Sequence, residues 1–184
     1  MKMMDLANQL LSPAEQTELR ESLDLLERGE ASEFYERNQV VVHKLLFLQD
    51  EAEFLDFSAQ DRLDGECVCA AFLCEKGYGL QVGGYEEDLT EPLTDFFEKQ
   101  GLASPEVREI LSREVIFTDC GDFDNFKDAV TDLNQVLEPR GLRLAVWEDC
   151  LYCDCEYTIL LLEKSLAEQA AASWQSESLE RYIS

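Results

Sequence analysis

Between Phe123 and Val146 the order of apolar and polar residues leaves the chain little choice. Phe123, Phe126, Val130, Leu133 and Leu137 recur at steps of three and four, which sets them along one side of a helix, and Pro139-Arg140-Gly141 ends it. Leu142, Leu144 and Val146 then alternate with Arg143, Ala145 and Trp147, the period of a strand, and Glu156 to Leu162 returns as a second strand. A helix with one apolar side followed by a hairpin predicts a helix layer on an antiparallel sheet. A last helix is expected from about Ser165, with Leu166, Ala170 and Trp174 inward.

The N-terminal third reads as helical. Ser12-Pro13-Ala14-Glu15 combines a capping-box pair with proline at the first helical position, and Leu19, Leu23 and Leu26 follow before Gly29, so a helix is expected over about 13–28. A second helix is expected after Ser32, with Phe34, Val41, Leu45 and Leu48 on one stripe, although Val40-Val41-Val42 also suits a strand. Beyond a polar turn at 61–65, Cys67 to Leu73 is apolar at nearly every position, as in a strand buried on both faces. Glu75-Lys76-Gly77 would turn that strand into a Gly-rich partner over Tyr78 to Tyr85. Helices follow at 88–101, where Leu93, Phe96 and Phe97 form the apolar side, and at 104–112, and then a short strand at Val115-Ile116-Phe117. The expected fold is therefore α+β: an antiparallel or mixed sheet of about five strands covered by helices, with an N-terminal helical hairpin. The hairpin would occupy residues 1–57 and the sheet domain residues 58–184.

Charge narrows the range of function. Across 184 residues, Lys and Arg number 15 against 40 Asp and Glu, a formal net charge of −25 at pH 7. The acids are spread along the chain, and 46% of the residues are hydrophobic, so this is a folding body and not a disordered acidic tail. Such a surface repels nucleic-acid phosphates and anionic lipid headgroups, which excludes direct binding to either. Met1-Lys2-Met3-Met4-Asp5 leads into Leu6-Ala7-Asn8-Gln9 without a signal-peptide core, and no apolar run approaches the ~20 residues that span a bilayer. A cytoplasmic protein is expected, with its seven Cys kept as thiols.

No catalytic constellation emerges. Cys150, Cys153 and Cys155, with Cys67 and Cys69 on a strand where i and i+2 face the same way, would make a Cys-ligated zinc site in one alternative reading. A second Cys-x-x-Cys is lacking, and core and hairpin thiols are the plainer account, so neither metal nor cofactor is expected. Asp119-Cys120-Gly121-Asp122-Phe123-Asp124 resembles a calcium loop at first, but an EF-hand begun at Asp122 meets Phe126 and Lys127 where a ligand and glycine belong. Asp119 or Asp122 instead suits the N-cap of the following helix. His43 stands alone in an apolar run with no nucleophile elbow, which reads as a helix-surface residue.

What remains is the acid. Glu86, Glu87, Asp88, Glu91, Asp95 and Glu98 form one cluster with no base until Lys99, while Asp122, Asp124, Asp128 and Asp132 belong to a second, opposite the Phe123–Leu133 stripe. Like charges at i and i+4 cost a few tenths of a kcal/mol per pair. Such stripes serve either as a solvated face or as a surface for a basic protein or peptide segment. A DNA mimic, inhibiting a nucleic-acid-binding protein, is the alternative, but it must match about one charge per 3.4 Å along each strand, whereas i and i+4 acids lie about 6 Å apart. The expectation is thus a non-enzymatic binding protein with Glu86, Glu87, Asp88, Glu91, Asp122, Asp124, Asp128 and Asp132 as partner-binding residues. In its terminal helix–strand–strand–helix order and acidic pI the chain is loosely similar to small acidic bacterial export chaperones, although its helical N-terminus departs from that plan.

Overall fold

Ser12 and Glu15 close the capping box that the sequence announces. The Ser12 N–H donates to Glu15 Oε2 at 2.8 Å and the Glu15 N–H donates to Ser12 Oγ at 3.4 Å, and Pro13 opens helix α2 (Pro13–Glu27). In this computed structural model the described residues are 1–46, 51–52, 54–55, 64–82, 87–113, 115–117, 124–149 and 156–172. They fall into two compact units, Met1–Gly77 and Tyr78–Ser184. None of the described helices is long and apolar enough to cross a membrane.

The first unit is helical. α1 (Met3–Leu10), which the sequence reading did not anticipate, buries Met3, Leu6 and Ala7. α3 (Ala31–Arg37) and α4 (Gln39–Leu46) replace the single expected helix and exclude the strand reading of Val40–Val42. The break falls at Asn38, whose buried side chain accepts from Ser22 Oγ at 2.8 Å and donates to the Phe34 carbonyl at 2.9 Å. A buried amide bonded to its own backbone four residues back is a polar contact that periodicity does not register. Phe54 stacks on Phe34 with ring centroids 5.8 Å apart. Leu48 lies outside the described residues.

Cys67 to Leu73 do not form the expected strand. These residues belong to a helix, α5 (Gly65–Glu75), and every residue from Cys67 to Cys74 is buried. Asp64 caps it by accepting the Glu66 N–H at 3.0 Å. A helix buried all round carries no apolar stripe, so a short continuous apolar run looks the same in either conformation. α5 packs against α1, α4 and α2. Residues assigned to the sheet domain therefore sit in the N-terminal unit, and the division falls after Gly77 where the sequence reading placed it after residue 57.

The second unit holds the strands in two separate sheets, not one sheet of five. β1 (Gly79–Val82), β5 (Glu156–Glu163) and β4 (Leu142–Asp149) form an antiparallel sheet in the order β1-β5-β4, with Gly79 opposite Leu160 and Leu144 opposite Leu161. β1 thus pairs with the C-terminal hairpin, since its expected partner is helical. β2 (Glu87–Asp88) and β3 (Ile116–Phe117) make a two-stranded ladder. The expected helices are present as α6 (Thr90–Lys99), α7 (Pro105–Leu111), α8 (Asp124–Leu137) and α9 (Lys164–Ala171). After α8 a 3-10 turn over Glu138–Arg140 ends at Gly141 in the left-handed region, the stop that Pro139-Arg140-Gly141 encodes. α8 packs on β4, and α9 packs on β4 and β5. In α9, Ala167 and Ala170 are buried and Leu166 is half-buried, while Trp174 lies outside the described residues.

Candidate interaction surface

Local bonding fixes where α6 begins. Asp88 Oδ1 accepts the Thr90 N–H at 2.9 Å, and hydrogen bonds from the Thr90 side chain and backbone hold the Asp88 carboxyl below its ordinary range. The Leu89 N–H donates to the Val115 carbonyl at 2.8 Å, and the Val115 N–H returns a bond to Thr90 Oγ1 at 2.9 Å. The first turn of α6 is thereby tied to the residue that leads into β3. Leu93, Phe96 and Phe97 are buried, the two rings meeting edge to face at 5.9 Å. Asp88, Glu91, Asp95 and Glu98 are all exposed. The steps of four and three place Glu91, Asp95 and Glu98 in one row on the side of α6 away from its core, and Asp88 stands just ahead of the helix at the end of β2.

α8 carries the second cluster less cleanly. Its inward side is Phe126, Ala129, Val130, Leu133 and Leu137, as the spacing predicted, and Asp128 is exposed. Asp132 is half-buried and paired with Arg113 at 3.0 Å. α7 packs against both α6 and α8, and its Arg108 reaches Glu98 on α6 at 3.1 Å. Sequence proximity placed the nearest base to the first cluster at Lys99. The pairing partners Arg108 and Arg113 instead arrive through the tertiary fold, one on each acidic helix. These pairs are exposed and contribute at most about 1 kcal/mol each, so they temper the acidic surface without cancelling it.

Of the other residues in the two clusters, Glu87 and Asp124 lie within β2 and α8, and the ladder sets Glu87 opposite Phe117. Glu86 and Asp122 lie outside the described residues, as do Asp119 and the calcium-like loop. The ladder and α7 bring both clusters into the same unit on neighbouring elements.

The cysteines are split. Cys67, Cys69 and Cys74 are buried in α5, where i and i+2 point about 200° apart and not to the same side. Burial, then the charges of Glu66 and Asp64, push the Cys69 thiol up to about 12. Cys120, Cys150, Cys153 and Cys155 lie outside the described residues. Among the described residues no group of three or more His, Cys, Asp or Glu is arranged to hold a metal ion. His43 is exposed on α4, as its surroundings suggested. An open cavity of about 200 Å³ between α8, β4 and the start of α9 is lined by Asn134, Glu138, Arg143 and Lys164 among others. Glu138 and Lys164 pair across it, which lowers the carboxyl and raises the ammonium from their ordinary values. No protein family, curated protein or solved structure matches this chain.

Proposed function

We propose that this chain is a non-enzymatic binding protein that engages a basic protein or peptide segment through the acidic side of α6, with Asp128 on α8 extending the surface. The observation that carries this reading is the row Glu91, Asp95 and Glu98, exposed along one side of a helix whose other side is core, with the exposed Asp88 just before it on β2. From Glu91 to Glu98 the row runs roughly 10 Å along the helix, enough to meet more than one cationic side chain of a partner. Complementary charge of this kind raises the rate of encounter and selects the sign of the partner, and added salt weakens it.

The test compares three charge-reversed proteins binding a Lys- and Arg-rich peptide. The first carries Glu91→Lys, Asp95→Lys and Glu98→Lys; Asp88 is left in place because its carboxylate accepts the Thr90 N–H at the start of α6. The second carries Asp124→Lys, Asp128→Lys and Asp132→Lys. The third, with Glu21→Lys, Asp24→Lys and Glu27→Lys on α2, changes the net charge equally in the other unit. Affinity is expected to fall at least about tenfold for the first, less for the second and least for the third, together with the salt dependence. Equal losses in all three would mean that the charge acts as a diffuse whole, and the assignment of a surface would be wrong.

A further inference from the structure

Among the described residues β4 is an edge strand of its sheet. In an antiparallel pair, successive residues turn their N–H and C=O groups alternately toward the partner strand and away from it. The Leu161 N–H donates to the Tyr78 carbonyl at 3.0 Å, on the β1 side of β5. Leu144, opposite Leu161, accordingly turns its polar groups away from β5. One side chain takes up both: the Leu144 N–H donates to Asn134 Oδ1 at 2.7 Å, and Asn134 Nδ2 donates to the Leu144 carbonyl at 3.3 Å. The amide of Asn134, on α8, stands where the peptide group of a neighbouring strand would stand. By the same alternation, the polar backbone groups of Leu142, Val146 and Glu148 also point to this outer side.

We propose that Asn134 guards the β4 edge, and that the contact it prevents is pairing with the β4 of a second copy of this chain. An uncovered edge is a template for strand addition. The strand itself argues for a second copy as the occupant. Antiparallel pairing of two copies about Val146 would set Arg143 opposite Asp149 of the other copy, so β4 complements itself in charge as well as in backbone. A second barrier is global, because two chains that each carry −25 repel one another. That barrier is reduced by salt, since the Debye length falls to about 3 Å at 1 M.

The experiment removes the guard and the repulsion separately. Asn134→Ala and the unaltered protein are compared by sedimentation velocity at low and at ~1 M salt, with amide exchange followed at Leu144. The expected result is exchange at Leu144 at least about fivefold faster in the variant, with concentration-dependent association beyond that of the unaltered protein at high salt only. Asn134→Asp keeps the acceptor for the Leu144 N–H and should associate less than the alanine variant. An alanine variant that exposes the Leu144 amide yet matches the unaltered protein in mass at every salt concentration would overturn the proposal. Should the alanine variant fail to fold, Asn134→Ser, whose side chain is too short to take up both backbone groups of Leu144, decides: more association than the unaltered protein at high salt supports the guard, and none refutes it.

Discussion

Gly79 and Gly77 sit two residues apart and are constrained for different reasons. A Cβ on Gly79 would stand 2.5 Å from the Ile159 carbonyl oxygen and 2.6 Å from Leu160 Cδ2, both on the strand that β1 pairs with. Gly77 has φ +88° and nothing within 4 Å of where its Cβ would be. Gly79→Ala should therefore part β1 from β5 and cost about 1–3 kcal/mol, with faster amide exchange along β1. Gly77→Ala should cost about 1–2 kcal/mol through its backbone alone and leave that exchange unchanged. Denaturant melts with hydrogen exchange on both variants check the pair, and equal exchange at Leu80 and Val82 in the two would contradict it. The sequence marks both residues as glycine in or beside a strand, but only the opposing strand distinguishes a crowded glycine from a twisted one. The same holds for Asn38 and Asn134, whose bonds to the backbone of Phe34 and Leu144 no pattern of side chains reveals.

At the scale of elements, the helices with one apolar side were legible to within a residue or two at their described ends: α2, α6, α7 and α8 follow from caps and period. α5 was not, because burial on every side erases the period that distinguishes a helix from a strand. That burial has a chemical consequence at Cys69. Its folded pKa is raised from 9.0 to about 12, so the stability it contributes is full below pH 9.0 and declines as the pH rises toward the folded value. Alkaline melts of the unaltered protein should show this decline, and Cys69→Ala should flatten it. Maleimide labelling at neutral pH should reach Cys69 only after unfolding, and labelling as fast in the native protein as in denaturant would show that α5 is not the buried helix described. The strands were read singly but not in their pairing. β1 needed a partner, and with Cys67 to Leu73 helical the nearest remaining edge was that of β5.

For the molecule as a whole, the charge of −25 acts against compactness and the exposed ion pairs add little. Raising salt from low ionic strength to ~0.5 M should therefore raise the melting temperature, because screening relieves more repulsion than it removes attraction. Acid has the opposite final effect. The carboxyls of Glu15, Asp88, Glu106 and Glu138 are held below their ordinary values by hydrogen bonds, from Ser12, Thr90, Ser104 and Lys164 respectively. Their contribution is present above the unfolded values of 4.5 for Glu and 3.8 for Asp, and it is lost as the pH falls through the lower folded values. Stability should thus decline as the pH falls below 4.5 for the Glu residues and 3.8 for Asp88, which thermal melts from pH 3 to 8 would test. Composition and local order by themselves determined that the sequence is strongly anionic, where α2, α6, α7 and α8 lie to within a residue or two, and that two strands follow α8. These are properties of charge count and of residues a few positions apart. Tertiary structure alone decided the state of the evenly buried segment, the pairing of β1, the arrival of Arg108 and Arg113 beside Glu98 and Asp132, and the amide laid along the edge of β4. Each of those depends on which distant groups meet, and spacing along the chain does not encode it.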